Sequence, residues 1–169
     1  CLRDRMAILR EHSIPSVGIN VLVTLGHADD SAFAEKPPFQ TMVGHDGAVS
    51  TSCMCPNSPE FEQYTKEKYR MFAELKPDFI WIDDDIRMHN HGVVRYACFC
   101  PICLSLFNQT HQTAFSREQL VSWLNAPDGS QYRALWVKHN SDSINRLLVL
   151  IGQTIHDVNP AIEIGLMTV

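Results

Sequence analysis

The stretch "DFIWIDD" at residues 78–84 decides the fold, because an apolar run suited to a buried strand ends there in consecutive carboxylates. An earlier β-branched run, "VGINVLVTLGH" at 17–27, follows a segment with helical spacing at 2–12. A third strand is predicted in "AIEIGLMTV" at 161–169, after a long helix that ends at Pro160. This alternation of helix and strand predicts parallel strands joined by right-handed crossovers.

The pattern leaves two long loops, and each follows a strand. Residues 28–57 are rich in Gly, Pro, Ser and Asp, and a second irregular stretch after Asp84 carries several cysteines. Ser58 as a cap and Pro59 at the first helical position predict that a helix begins after the first loop. Because loops at the carboxyl ends of parallel strands carry function in this architecture, we expect the site there.

Composition and charge narrow the classes of function. The 169 residues are 45% hydrophobic with a formal net charge of -5, so we expect one globular domain over residues 1–169. No basic stripe is present to neutralise phosphates, and no apolar run approaches the roughly 20 residues that span a bilayer. We therefore expect neither a nucleic-acid nor a membrane partner. The chain begins with Cys1 rather than Met, so we expect the native N-terminus to lie outside it. No signal peptide is visible in the sequence, and we predict a cytoplasmic protein.

Charged side chains are concentrated directly after the second predicted strand. One interpretation is a solvated turn or a helix cap. The other is a functional site, because neighbouring carboxylates raise one pKa among them, as a general acid requires, and nearby cations supply counter-charges. We favour a site made of Asp83, Asp84, Asp85, Arg87, His89 and His91. His27, at the end of the first predicted strand, fits a cleft or a capped loop equally well.

Three cysteines at 98–103, "CFCPIC", have a C-x-C-x-x-C spacing. Buried inert thiols and disulfides are two interpretations. We favour a third, a structural zinc, because thiolates this close repel one another unless a cation holds them. The fourth ligand must come from elsewhere, and "SCMC" offers Cys53 and Cys55. A set of four thiolates leaves no open position for water, which argues against a zinc hydrolase.

Several motifs together resemble glycoside hydrolase family 42, the bacterial β-galactosidase-like enzymes of clan A. They are "CPNSPEF" at 55–61, "WIDDD" at 81–85, "CFCPICLSLF" at 98–107 and "SWLN" at 122–125. The resemblance implies an α/β fold, a segment of a (β/α)8 TIM barrel with strand three at 17–26, strand four at 78–84 and strand five at 162–168. It also implies a structural zinc on Cys55, Cys98, Cys100 and Cys103, which selects Cys55 over Cys53.

The resemblance implies a retaining hydrolysis of a β-galactoside or a related carbohydrate substrate. The family has Asn-Glu at the end of strand four, with Glu as the acid/base, and the matching pair here is Asp84 and Asp85. Aspartate is one methylene shorter, so Asp85 is a candidate acid/base, with Asp84 beside it. The alternative is a catalytically altered carbohydrate-binding barrel that keeps the structural zinc. In either case Asp83, Arg87 and the histidines named above are expected to line the sugar cleft.

The family carries its nucleophile near the end of strand seven, so the chain alone is expected to hydrolyse nothing. Its open sheet edges are expected to be covered by more of a longer protein or by a homo-oligomer. Trp81, Trp123 and Trp136 each sit in an apolar pattern, so we expect them in the core rather than as sugar platforms.

Overall fold

The computed structural model describes residues 1–26, 38–88 and 94–167. The helices are α1 (Leu2–Glu11), α2 (Pro59–Ala73), α3 (Pro101–His111), α4 (Arg117–Asn125) and α5 (Ser130–Val158). The strands are β1 (Ile19–Val21), β2 (Thr41–Val43), β3 (Val49–Met54), β4 (Phe79–Ile82) and β5 (Glu163–Leu166). Predictions for His27, His89 and His91 therefore fall outside the described residues, as do residues 28–37 of the predicted loop.

A parallel three-stranded sheet with the order β1-β4-β5 organises the described chain. Ile19 pairs with Ile80, and Phe79 pairs with Glu163. Helix α2 lies between β1 and β4 in sequence, and α5 lies between β4 and β5. The predicted α/β alternation with parallel strands is confirmed, although each strand is shorter than its apolar run.

The two faces of the sheet differ in burial. Ile80 and Ile82 of β4 are 0% and 1% exposed and join the core that includes residues of α2 and α5. Trp81 points to the opposite face, because side chains alternate along a strand, and it remains 37% exposed. The core prediction is confirmed for Trp136, which is 6% exposed, but wrong for Trp81 and for Trp123, which is 41% exposed. On that second face Trp81 lies beside Gly165 of β5.

Helix α2 begins as its sequence predicts. Ser58 is the cap residue with extended backbone, and Pro59 occupies the first turn, where its missing N–H costs no helical hydrogen bond. The Ser58 hydroxyl donates to Glu60 at 2.8 Å instead of accepting from the backbone. Phe61 and Tyr69 are 1% and 0% exposed, so they form the face of α2 that packs into the core.

The predicted loop at 28–57 is wrong in its described part, since β2 and β3 form an antiparallel hairpin there. Gly47 has a φ of +87° in the turn, a conformation that favours glycine. The Asp46 carboxylate accepts from the Ala48 N–H at 3.0 Å, which supports the same turn. The turn stretch "GHDG" was therefore a usable hairpin signal.

The stretch at 98–111 is also more regular than predicted. Cys100 caps α3, with its sulfur accepting from the Cys103 N–H, and Pro101 holds the first turn. Helix α3 packs with α4 and α5 around a second apolar cluster of Phe99, Phe107, Leu120 and Trp136. At the other end of α5 the predicted stop before Pro160 is confirmed. Of the helices in the described ranges, none has the length and apolar character needed to cross a bilayer.

Candidate functional site

Three carboxylates lie where β4 ends, at the carboxyl edge of the parallel sheet. Asp83 and Asp84 are partly exposed, whereas Asp85 is 0% exposed. The sequence could place these groups at one strand end, but it could not separate them by burial. The separation divides the acidic run into a part that solvent reaches and a part that the fold encloses.

Asp85 ties the segment after β1 to the end of β4. Its Oδ2 atom accepts from the backbone N–H groups of Thr24 at 2.7 Å, Leu25 at 2.7 Å and Gly26 at 2.9 Å. Donors that converge on one carboxylate oxygen form charge-assisted hydrogen bonds, which are stronger than neutral ones. The structure thus gives Asp85 a definite structural contact, and its acid/base role stays a prediction.

Helix α2 supplies two polar groups beside this contact. The sequence pattern did not indicate that these side chains hydrogen-bond to the segment after β1. The Lys68 ammonium donates to the Val23 carbonyl, and the Tyr69 hydroxyl lies 2.7 Å from the Thr24 hydroxyl. Burial lowers the pKa of Lys68 to about 8, and the nearby Asp85 charge opposes that shift. Burial also raises the pKa of Tyr69 well above its usual range.

The two accessible carboxylates have polar partners of their own. Asp83 accepts from the Asn20 amide at 3.3 Å and from the Asp84 N–H at 2.8 Å. Asp84 lies 3.6 Å from an Arg87 guanidinium nitrogen. The structure therefore places Asp83, Asp84 and Arg87 together at the strand end, and their assignment to a sugar cleft stays a prediction. It does not describe the three histidines assigned to the same cleft.

A second cluster consists of buried sulfur atoms. The Sγ atoms of Cys55, Cys98, Cys100 and Cys103 all lie within 4.8 Å of one another, and all four residues are buried. Cys55 directly follows β3, and the other three lie at and before the N-terminus of α3. The set contains Cys55 and not Cys53. The prediction of four close cysteines that could hold a metal ion is therefore confirmed, with the predicted members.

The hairpin places Cys55 opposite the other three. Its backbone N–H donates to the Gln40 carbonyl at 2.8 Å, while the Phe99 N–H donates to the Val43 carbonyl at 2.8 Å. Both cysteine-bearing segments are thus hydrogen-bonded to the β2 side of the same hairpin. This explains why residues far apart in sequence converge.

The sulfur geometry fits a tetrahedral metal better than a disulfide. Cys55 Sγ lies 3.4 Å from Cys103 Sγ and 3.5 Å from Cys100 Sγ. A disulfide needs about 2.05 Å, and the four cysteines of the cluster carry free thiols. Zinc–sulfur bonds of about 2.3 Å in a tetrahedron separate the sulfurs by about 3.8 Å. Small adjustments would therefore seat a cation among these four sulfur atoms.

The cluster's sulfur atoms are close enough to hydrogen-bond to one another. Hydrogen bonds from Cys103, Cys55 and Cys98 lower the pKa of Cys100. Hydrogen bonding to Cys100 in turn raises the pKa of Cys55 and of Cys103. A cation that deprotonates all four thiols would relieve this competition for protons, as structural metals commonly do.

Comparison with protein-family models, with curated proteins and with solved structures finds no match for this chain. The features of this chain that bear on function are the carboxylate cluster, the sulfur cluster and the parallel sheet that places the carboxylates.

Proposed function

We propose that this chain is the part of a glycoside hydrolase-type (β/α)8 barrel that forms one side of a sugar cleft. The observation that carries the proposal is the placement of Asp83 and Asp84 at the carboxyl end of the central parallel strand. In barrels of this kind, catalytic groups sit at that edge. The resemblance to glycoside hydrolase family 42 makes a β-galactoside or related glycoside the proposed substrate.

Within the proposal, Asp84 is the acid/base, because it is the accessible carboxylate of the matching pair. Asp85, enclosed by backbone N–H groups, positions the strand end instead. Asp83 and Arg87 would hydrogen-bond sugar hydroxyls, together with His27, His89 and His91. A retaining reaction needs a second carboxylate about 5 Å from the first, which attacks the anomeric carbon.

The proposal requires more strands than the described residues supply. Three parallel strands do not close a barrel, and Trp81 on one face of the sheet is 37% exposed. We propose that further strands cover this face and contribute the nucleophile. The purified chain alone should therefore show no turnover of aryl glycosides, and measurable turnover would contradict the barrel-segment proposal. A homo-oligomer seen by sedimentation would instead favour a second copy as the cover.

The role of the carboxylates is tested in a polypeptide that carries this chain with the strands that close the barrel. Asp84→Asn should slow hydrolysis of a glycoside with a poor leaving group about 100-fold or more, because general acid catalysis contributes that much. An activated leaving group needs little protonation, so its hydrolysis should slow much less. Asp142→Asn, an exposed position paired with Lys138 on α5, is the matched control.

Asp85→Asn separates the two candidate acids. If Asp85 only positions the strand end, its loss should affect poor and activated leaving groups alike. A selective loss on the poor leaving group in Asp85→Asn, with none in Asp84→Asn, would return the acid/base role to Asp85.

One observation favours a second candidate, a carbohydrate-binding barrel without turnover. The residue that matches the family's acid/base position is Asp85, which is fully buried. Sugar binding by the closed barrel, measured by calorimetry, with no hydrolysis of either substrate, would support this candidate over the enzyme.

We further propose zinc as the ion for the sulfur cluster, since tetrahedral sites with four thiolates are a common structural zinc site. Metal analysis of the purified protein should find about one zinc per chain. Cys55→Ser should lower that content strongly by removing one ligand. Cys53→Ala, a buried cysteine of the same hairpin that lies outside the set, should leave the zinc content unchanged.

A further inference from the structure

Asn57 stands between the sulfur cluster and helix α5. It is 6% exposed, and it lies two residues after Cys55. Its side-chain amide nitrogen lies 3.2 Å from Cys103 Sγ and 3.0 Å from the Ser143 hydroxyl. Its amide oxygen accepts from the Arg146 guanidinium. One side chain therefore connects a thiolate ligand with two residues of the long helix.

The partners determine which way the amide faces. Arg146 is a donor only, so the Asn57 oxygen must face the guanidinium. The Ser143 hydroxyl donates to the His139 carbonyl at 2.8 Å, so its oxygen accepts from Asn57. Both contacts turn the amide N–H groups toward Ser143 and the Cys103 sulfur. The N–H to sulfur contact is thus fixed by the network around it.

Charge explains what such a contact would do. Four thiolates around a divalent cation leave two excess negative charges, and these four residues are buried. Buried charge requires compensation by hydrogen bonds or by opposite charge. The Asn57 amide supplies a hydrogen bond to Cys103, and Arg146 supplies a positive charge directly behind that amide.

We propose that Asn57, oriented by Arg146, is a positioning residue of the metal site that stabilises the Cys103 thiolate and slows release of the ion. This inference rests on the proposed metal site and not on glycosidase activity. Partners beyond the direct ligands typically contribute about 10- to 100-fold to metal affinity. Loss of the Asn57 amide should therefore weaken metal binding while all four ligands remain.

The test uses Asn57→Leu, which keeps the branched skeleton of heavy atoms and removes the amide, and Arg146→Met, which removes the charge behind it. The matched control is Asn108→Leu on α3, whose amide bonds to Phe115 and Thr113 and not to sulfur. Zinc-loaded proteins are mixed with a chromophoric chelator, and the rate of zinc release is measured. Cobalt-loaded proteins give the energy of the thiolate-to-cobalt charge-transfer band.

Asn57→Leu should release zinc about 10-fold faster or more. Its charge-transfer band should move to lower energy, because a sulfur without a hydrogen bond gives up electron density more readily. Arg146→Met should change both readouts in the same direction, and it carries the test if Asn57→Leu does not fold. Asn108→Leu should change neither readout.

An unchanged release rate and band in Asn57→Leu, or in Arg146→Met where that variant carries the test, would overturn the inference. Equal acceleration by Asn108→Leu would also overturn it, because the effect would then be general destabilisation. A wild-type chain that binds neither zinc nor cobalt would remove the metal site itself. The metal content of the wild type therefore distinguishes failure of the site from failure of the inference.

Discussion

Two aspartates tie β1 to β4 at opposite ends of the strand pair. Asp78 accepts from the Val17 N–H at 2.7 Å at the amino end, and Asp85 holds the segment after β1 at the carboxyl end. The Asp78 side chain is 50% exposed, while Asp85 is fully buried. The hydrogen bonds of Asp85 at the carboxyl end should therefore contribute more to the free energy of unfolding than the hydrogen bond of Asp78 at the amino end.

We expect Asp85→Asn to lower the free energy of unfolding by roughly 1–3 kcal/mol, because it weakens buried, charge-assisted hydrogen bonds. Asp78→Asn should cost less, within about 1 kcal/mol, since water can replace the lost contact. Urea denaturation of both variants measures the difference. Equal losses would show that burial of Asp85 does not strengthen its contacts.

Lys68 predicts a pH dependence of stability. Its pKa in the folded chain is about 8, below the ordinary value of 10.5, because of burial. Between these values the unfolded chain binds more protons at this site, so the free energy of unfolding should rise with pH. Tyr69, whose pKa burial raises, acts in the opposite direction above about pH 10.

Lys68→Met should remove the rise that Lys68 causes. Urea denaturation of the wild type and the variant at several values between about pH 8 and pH 10 gives the difference, in which other titrating groups cancel. The wild type should gain stability relative to Lys68→Met across this range. A constant difference between the two proteins would show that Lys68 has an ordinary pKa.

At the scale of elements, the space around two glycines shows how closely β5 packs against β4 and α5. A Cβ on Gly165 of β5 would lie 2.1 Å from Trp81 Cε3, which is far inside contact distance. A Cβ on Gly152 of α5 would have its nearest neighbour at 3.9 Å, the Ile164 Cδ1 atom. Strand β5 therefore lies close to β4 only because Gly165 has no side chain.

The same substitution should have opposite effects at these two positions. Gly165→Ala should destabilise the protein by about 1–3 kcal/mol, because Trp81 must move. Gly152→Ala should stabilise it by about 0.5–1 kcal/mol, since alanine is the better helix former and has room there. Thermal denaturation compares both with the wild type. A neutral Gly165→Ala would mean that β5 is not packed against Trp81.

At the scale of the whole molecule, the sulfur cluster lies where the hairpin of β2 and β3 meets α3. Cys55 belongs to the hairpin of β2 and β3, and Cys103 belongs to α3, which packs in the second apolar cluster. The four cysteines, the inner side of the hairpin, the parallel sheet and α2 all belong to the first apolar cluster. A metal held by these thiolates would stabilise the contact between the hairpin and α3.

Removal of the metal should therefore act locally before it acts globally. After treatment with a strong chelator under reducing conditions, hydrogen exchange should accelerate in residues 38–57 and 98–111. Exchange in β4 and in the centre of α5 should change much less, because their protection comes from the apolar core. If hydrogen exchange accelerated equally across the chain, the metal would not stabilise the hairpin and α3 in particular, and the prediction would be wrong.

The sequence by itself determined the helices and strands that have a clear period and a marked end. Ser58 with Pro59 located the start of α2, Pro160 located the end of α5, and the apolar run before Asp83 located β4. These signals are local, because backbone sterics and helix capping act within a few residues. The C-x-C-x-x-C spacing was also sufficient to predict a thiolate cluster.

Only the tertiary structure decided which polar groups are enclosed. Three consecutive aspartates look alike in sequence, yet Asp85 alone is buried, because the amides after β1 converge on it across the sheet. Cys55 could be selected from the sequence only through the family resemblance, and Asn57 reaches Cys103 because the hairpin and α3 bring distant segments together. Burial and long-range hydrogen bonding depend on where elements meet, and no pattern within one segment contains that information.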